Sequence, residues 1–173
     1  FNMPQEKIDV IWDLAPHDIS IVSYVTGKKP IGGKAISMNP SNENQQNSIA
    51  QLSIEYENGL KLILNTSWLS PVKTRKMIFG GSEQTIVYDH LDEVEPLKLY
   101  SQKLVFENNS FPTTYESSKV EIPAFEKNEP LKKEISMLSN YLINKKNRPY
   151  SDFENSSKNL TPLFKMKKYD LNN

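Results

Sequence analysis

Asp13 and His17 are the one place in this 173-residue chain where groups suited to proton transfer meet at a helical spacing. The surrounding stretch reads Trp12-Asp13-Leu14-Ala15-Pro16-His17-Asp18-Ile19-Ser20-Ile21. Residues four apart project from the same edge of a helix. A neutral imidazole beside a carboxylate can take a proton from an alcohol or return one to a ketone. Asp13 stands where an N-cap belongs, just ahead of an apolar-periodic run. Pro16 then falls in the first turn, where its missing N–H costs little. Leu14, Ile21, Val22 and Val25 supply a buried stripe, and Gly27 supplies the C-terminal stop. A helix starting at Asp13 holds His17 near the positive end of its dipole, which favours the neutral imidazole. The plainer alternative is that Asp13 only caps the helix and His17 is a surface or interface histidine.

A second chemical grouping lies in Ser67 to Arg75. Read as a strand, it places Lys73 and Arg75 on one face, where two cations could hold a carboxylate or a diphosphate. Trp68 would be an aromatic platform beside them. The alternative is a pair of solvated basic residues and a core or interface tryptophan. His90, in the acidic turn Asp89-His90-Leu91-Asp92-Glu93, reads as an exposed loop histidine.

The elements that must position these groups follow from periodicity. Lys29 to Met38 reads as a strand and Asn39 to Asn47 as a loop. Ser48 to Glu57 and Leu60 to Trp68 read as a hairpin closed by Asn58-Gly59, a pair suited to a type I′ turn. Met77 to Phe79 and Thr85 to Tyr88 form a second hairpin, with Gly80-Gly81 available for a positive-φ turn or a bulge. Leu97 to Tyr100, Leu104 to Phe106 and Lys119 to Ala124 are short strands; residues 108–118 read as a polar loop. Glu129 to Asn144 is a helix whose stripe is Leu131, Ile135, Leu138 and Leu142. Asp152 to Lys168 reads as a broken or short helix. The predicted class is α+β: an open, mainly antiparallel sheet of about six to eight strands with helices on one face.

Taken in order, Asp13 to Asp18, Asn58-Gly59 within a strand pair, Ser67-Trp68-Leu69-Ser70-Pro71-Val72-Lys73-Thr74-Arg75, Phe79-Gly80-Gly81 and Glu129-Pro130-Leu131 resemble the C-terminal domain of the glucose–fructose oxidoreductase / inositol dehydrogenase (Gfo/Idh/MocA) family. The nearest subgroup is the nucleotide-sugar dehydrogenases and reductases. The resemblance covers roughly residues 8–152. It implies that His17 is the catalytic acid/base, Asp13 a substrate-hydroxyl or cofactor-proximal ligand, and Asp18 a supporting residue. Trp68, Lys73 and Arg75 join Asp13 as candidate substrate-binding residues. In that family an N-terminal Rossmann domain binds NAD or NADP and carries a lysine in a Glu-Lys-Pro motif. Neither that motif nor a G-x-G-x-x-G loop occurs here. The chain therefore reads as the substrate-binding half of an oxidoreductase acting on a sugar or nucleotide sugar, with no cofactor expected on this chain alone. Residues 1–7 read as a cut interdomain connection, 8–152 as the α+β substrate-binding and oligomerisation domain, and 153–173 as a divergent C-terminal tail. The resemblance further implies a homo-oligomer built through the open sheet face. A non-catalytic carbohydrate-binding or oligomerisation module is the alternative.

Composition narrows the field. Twenty-one basic and 21 acidic residues balance to a formal net charge of zero, which removes the electrostatic case for nucleic acid or an anionic membrane. No apolar run approaches the 18 or so residues of a membrane span. Without cysteine, and with only two histidines far apart, neither a disulfide framework nor a zinc site is expected. A cytoplasmic location is the expectation that fits this balance.

Overall fold

The helix carrying Asp13 and His17 begins one turn before its predicted start. In the computed structural model α1 spans Val10–Thr26, capped by Asp9, whose carboxylate accepts a hydrogen bond from the Trp12 N–H at 3.1 Å. Asp13 is therefore not the N-cap; its own N–H donates to the Asp9 carbonyl. Pro16 lies inside the helix, where its ring leaves the Trp12 carbonyl without an i+4 donor. His17 falls two turns in, beyond the first turn over which the dipole acts, so the predicted dipole contribution loses its basis. Gly27 does end the helix, in the left-handed region at φ 66°, with its N–H on the Ser23 carbonyl. The buried side is Val10, Ile11, Ala15, Ile19, Val22 and Ser23. Of the predicted stripe only Val22 is buried, while Ile21 and Val25 are exposed. A start displaced by one turn had turned the helix about its axis.

The described residues are 8–39, 47–101, 103–106, 112–116, 119–125, 128–145, 148–150 and 153–170. After α1 come β1 (Pro30–Met38), β2 (Ile49–Tyr56), β3 (Lys61–Ser67), β4 (Lys76–Gly80), β5 (Gln84–Asp89), β6 (Leu97–Ser101), β7 (Lys103–Phe106), β8 (Pro112–Glu116), β9 (Val120–Glu121), α2 (Pro130–Asn144), α3 (Phe153–Lys165) and β10 (Lys167–Asp170). The α+β, mainly antiparallel class holds. Eight of the described strands lie in two four-stranded sheets, ordered β10-β1-β2-β3 and β4-β5-β6-β9, and β7 pairs with β8 alone. Most of the predicted 39–47 loop lies outside the described residues. Within predicted loop 108–118, residues 112–116 form strand β8. The chain divides into two compact units, 1–70 with 130–173, and 71–129.

In the first unit, alternation decides which sheet face is covered. Ala50, Leu52, Ile54 and Tyr56 of β2 are buried, as are Ala35 and Ser37 of β1 and Leu64 and Thr66 of β3. This face receives α1 and α3. Burying side chains such as Ile11, Ile19, Leu52 and Ile54 contributes about 1.5–3 kcal/mol each. Asn58 and Gly59 both take positive φ, 63° and 80°, as the Asn-Gly pair predicts. Gly33 has a different duty. A Cβ there would sit 2.6 Å from the Ser53 carbonyl oxygen and 3.0 Å from the Met166 methyl, so its absence lets β2 and the Met166 methyl approach β1 closely. Beyond Met166, β10 runs parallel to β1, with Lys34 opposite Lys167. Residues 153–170, read from sequence as a divergent tail, thus form a helix and a strand of this unit. The opposite sheet face leaves Ile36 and Ile63 exposed, with a Gln51–Asn65 side-chain hydrogen bond at 3.0 Å.

The second unit is a ladder of short strands. Lys76 pairs with Asp89 at 3.1 Å across β4 and β5, and that ammonium holds the Asp89 carboxyl below the usual carboxylate range. Gly80 and Gly81 do not take positive φ. What Gly81 provides is room: a Cβ would lie 3.1 Å from the Gln84 carbonyl oxygen. In the acidic turn, the Asp92 carboxylate accepts from the N–H groups of Val94 and Glu95 and from Lys98.

Candidate active site

The two residues that open the sequence reading end up in different surroundings. The Asp13 carboxylate accepts a hydrogen bond from the Trp68 indole N–H at 2.9 Å. Trp68 immediately follows β3 and its backbone N–H donates to the Ser48 carbonyl. So Asp13 and Trp68, predicted from separate motifs, meet. The indole N–H is spent on the carboxylate, which fixes one Asp13 oxygen and leaves the carboxylate further lone pairs. Beside it, Trp12 and Phe164 bring their rings to 4.6 Å at 50°, joining α1 to α3.

His17 is exposed and lines an open groove between α1 and α3. Pro16, Ser20 and Ile21 share its wall, and Ser156, Asn159 and Leu160 form the other. The groove has a volume of about 310 Å³. Residues 17, 20 and 21 face α3 together because i, i+3 and i+4 share a helix face. An exposed imidazole on such a wall can exchange a proton with a ligand hydroxyl. Ser20, Ser156 and Asn159 were not singled out from sequence. Their one signal is the i, i+3 spacing of Ser156 and Asn159 within residues read as a tail.

Lys73 and Arg75 belong to the second unit. Ser67–Arg75 is not a strand as predicted: β3 stops at Ser67, β4 starts at Lys76, and Pro71 lies between them. The alternation used to place the two cations on one face is absent. Both are exposed, and the Arg75 carbonyl accepts the His90 N–H at 2.9 Å. His90 shares a 3.0 Å hydrogen bond with the Tyr88 hydroxyl. Among the described residues no group of three or more His, Cys, Asp or Glu could hold a metal ion. Nor is any described helix long and apolar enough to cross a membrane.

The sequence pattern of the family described as GFO/IDH/MocA C-terminal domain matches residues 2–87, a span containing α1, Asp13, His17 and Trp68. The chain belongs to the Gfo/Idh/MocA family. Similar solved structures agree in fold with this Gfo/Idh/MocA domain. One is the UDP-N-acetylglucosamine 3-dehydrogenase GnnA from Acidithiobacillus ferrooxidans, 19% identical with a TM-score of 0.75, covering 95% of this chain and 48% of its own. Another is an aldose-aldose oxidoreductase from Caulobacter crescentus, 12% identical with a TM-score of 0.68, covering 95% and 49%. A third is GenD2 from gentamicin A biosynthesis, in complex with NAD, 15% identical with a TM-score of 0.59, covering 90% and 44%. The chain thus spans about half the length of these proteins. No curated protein matches it.

Proposed function

We propose that this Gfo/Idh/MocA domain is the substrate-binding half of an NAD(P)-dependent oxidoreductase acting on a sugar or nucleotide sugar, with His17 as the acid/base. The observation that carries the reading is His17 exposed on a groove wall, one helical turn beyond an Asp13 whose carboxylate is held by Trp68. A nicotinamide, bound by an N-terminal Rossmann domain, supplies the hydride chemistry. This chain has no Gly-rich nucleotide loop, so it would hold no cofactor alone. Its own residues handle the substrate. In the oxidative direction His17 takes the hydroxyl proton through a ring nitrogen as the carbon–hydrogen bond breaks; in reduction it returns that proton to the carbonyl oxygen. Asp13 accepts a hydrogen bond from a substrate hydroxyl through a lone pair that Trp68 does not use. Lys73 and Arg75, both exposed in the second unit, are taken by themselves as proposed binders of an anionic group.

The open sheet face, with Ile36 and Ile63 exposed, is the proposed homo-oligomer surface, since apolar side chains on an uncovered sheet gain by burial. The dehydrogenase and oxidoreductase names of the similar structures support the reaction class. The test joins the chain to its nucleotide-binding domain and follows nicotinamide absorbance with UDP-N-acetylglucosamine and unlinked aldoses. His17→Ala should lower kcat by about 10²–10⁴-fold, the usual scale of acid–base catalysis. Turnover unchanged in His17→Ala sinks the proposal for His17, and the absence of turnover with every sugar sinks it for the reaction.

A further inference from the structure

The wall facing His17 has a chemistry of its own. Asn159 is only 5% exposed, yet it lines the groove. Among the described residues Ser23 Oγ is the one fully buried side-chain polar atom without a partner, so the Asn159 amide is not sealed in the interior; it opens onto the groove it lines, where a ligand can pair with it. Ser156 stands three residues earlier on the same face of α3, and Ser20 lies across the groove beside His17.

From this wall we infer that Asn159, with Ser20 and Ser156, binds the hydroxyl groups of a single sugar ring opposite His17. An amide offers both a donor and an acceptor, and each serine hydroxyl does the same, which matches neighbouring hydroxyls on a ring. Apart from His17 the lining carries no ionisable side chain, so the groove is not built for a phosphate or a carboxylate. Pro16, Ile21 and Leu160 give apolar surface for the C–H face of the ring. The volume of about 310 Å³ sits at the lower end of small-molecule sites, which run from about 300 to 1,000 Å³; it suits one ring and leaves a nucleotide moiety outside. Asn159 is then a specificity residue for the reaction proposed for His17, and the inference rests on that reading.

The test is an NMR titration of the ¹⁵N-labelled chain with N-acetylglucosamine. The Asn159 side-chain amide signals, assigned by their loss in Asn159→Leu, should shift saturably. Asn159→Leu and Ser156→Ala should each weaken binding roughly tenfold or more, with thermal unfolding confirming that both variants fold. Ser156→Ala keeps the test valid should Asn159→Leu not fold. An Asn159 amide unmoved by the sugar overturns the inference, as does equal affinity in the folded variants. The two readings fail separately. Sugar binding that ignores Asn159 leaves proton transfer by His17 standing. Binding at Asn159 together with full turnover of the His17→Ala enzyme removes the role of His17 and leaves a sugar groove.

Discussion

α1 and α2 are amphipathic helices of similar length, 17 and 15 residues. α1 packs six side chains into the first unit, and no residue of α2 is buried. The sequence pattern of α2 is the cleaner of the two: Leu131, Ile135, Leu138 and Leu142 recur at i, i+4, i+7 and i+11. All four are exposed. Periodicity reports that a helix has an apolar face; it does not report that a partner stands opposite. α1 has one, because the covered faces of β2 and β3 and the flank of α3 close around it.

The contrast is broken most directly from inside α1. Ile19 is 1% exposed, and its carbonyl accepts the Tyr56 hydroxyl at 3.2 Å. Truncation to Ile19→Ala removes buried methyl groups from a core that relaxes only partly. A loss of about 2–5 kcal/mol in unfolding free energy is expected, read from denaturant titration. A loss below about 1 kcal/mol would mean that α1 is packed as loosely as α2.

Tyr56 sharpens the same comparison through pH. Burial pushes its phenol from 10.0 up to about 12. The folded state therefore keeps its proton where the unfolded chain releases it. The stability carried by this difference is whole below pH 10 and is lost as pH rises from about 10 to 12, on the order of 2–3 kcal/mol in all. Tyr56→Phe removes that part of the alkaline slope, at a cost near neutrality of about 1 kcal/mol for the hydrogen bond to Ile19. An alkaline slope identical in both proteins would show that Tyr56 is open to water.

Much of the scaffold was legible, and the misses have physical causes. β1 to β3 follow from alternation, the Asn58-Gly59 turn from its two positive-φ residues, and the limits of α2 from Pro130 and its stripe. The start of α1 was misplaced because two aspartates, Asp9 and Asp13, precede apolar residues, and Ile8, Val10 and Ile11 read as easily as a strand. The four-residue error reassigned the buried face, moving Ile21 and Val25 inward and missing Ile11, Ala15 and Ile19. For Lys73 and Arg75, Pro71 breaks the extended run on which their shared face depended. Within the candidate site, the proposed roles of Asp13 and His17 were readable because their spacing is local. Trp68 against Asp13, and Asn159 across from His17, are separated by 55 and 142 residues; nothing short of the tertiary fold could pair them.

The smallest effect is predicted where the sequence pattern was strongest. Leu138 is central in the α2 stripe and 49% exposed. Leu138→Lys keeps a good helix former, and its long stem can lie along the neighbouring apolar surface while the charge stays in water. The unfolding free energy of this chain should change by no more than about 0.5 kcal/mol. The same substitution in the chain joined to the proposed N-terminal nucleotide-binding domain is a separate measurement. If the stripe of α2 is covered only there, the loss appears only there. A cost above about 1 kcal/mol in this chain alone would place the stripe against a partner within it, and the contrast between the two helices would vanish.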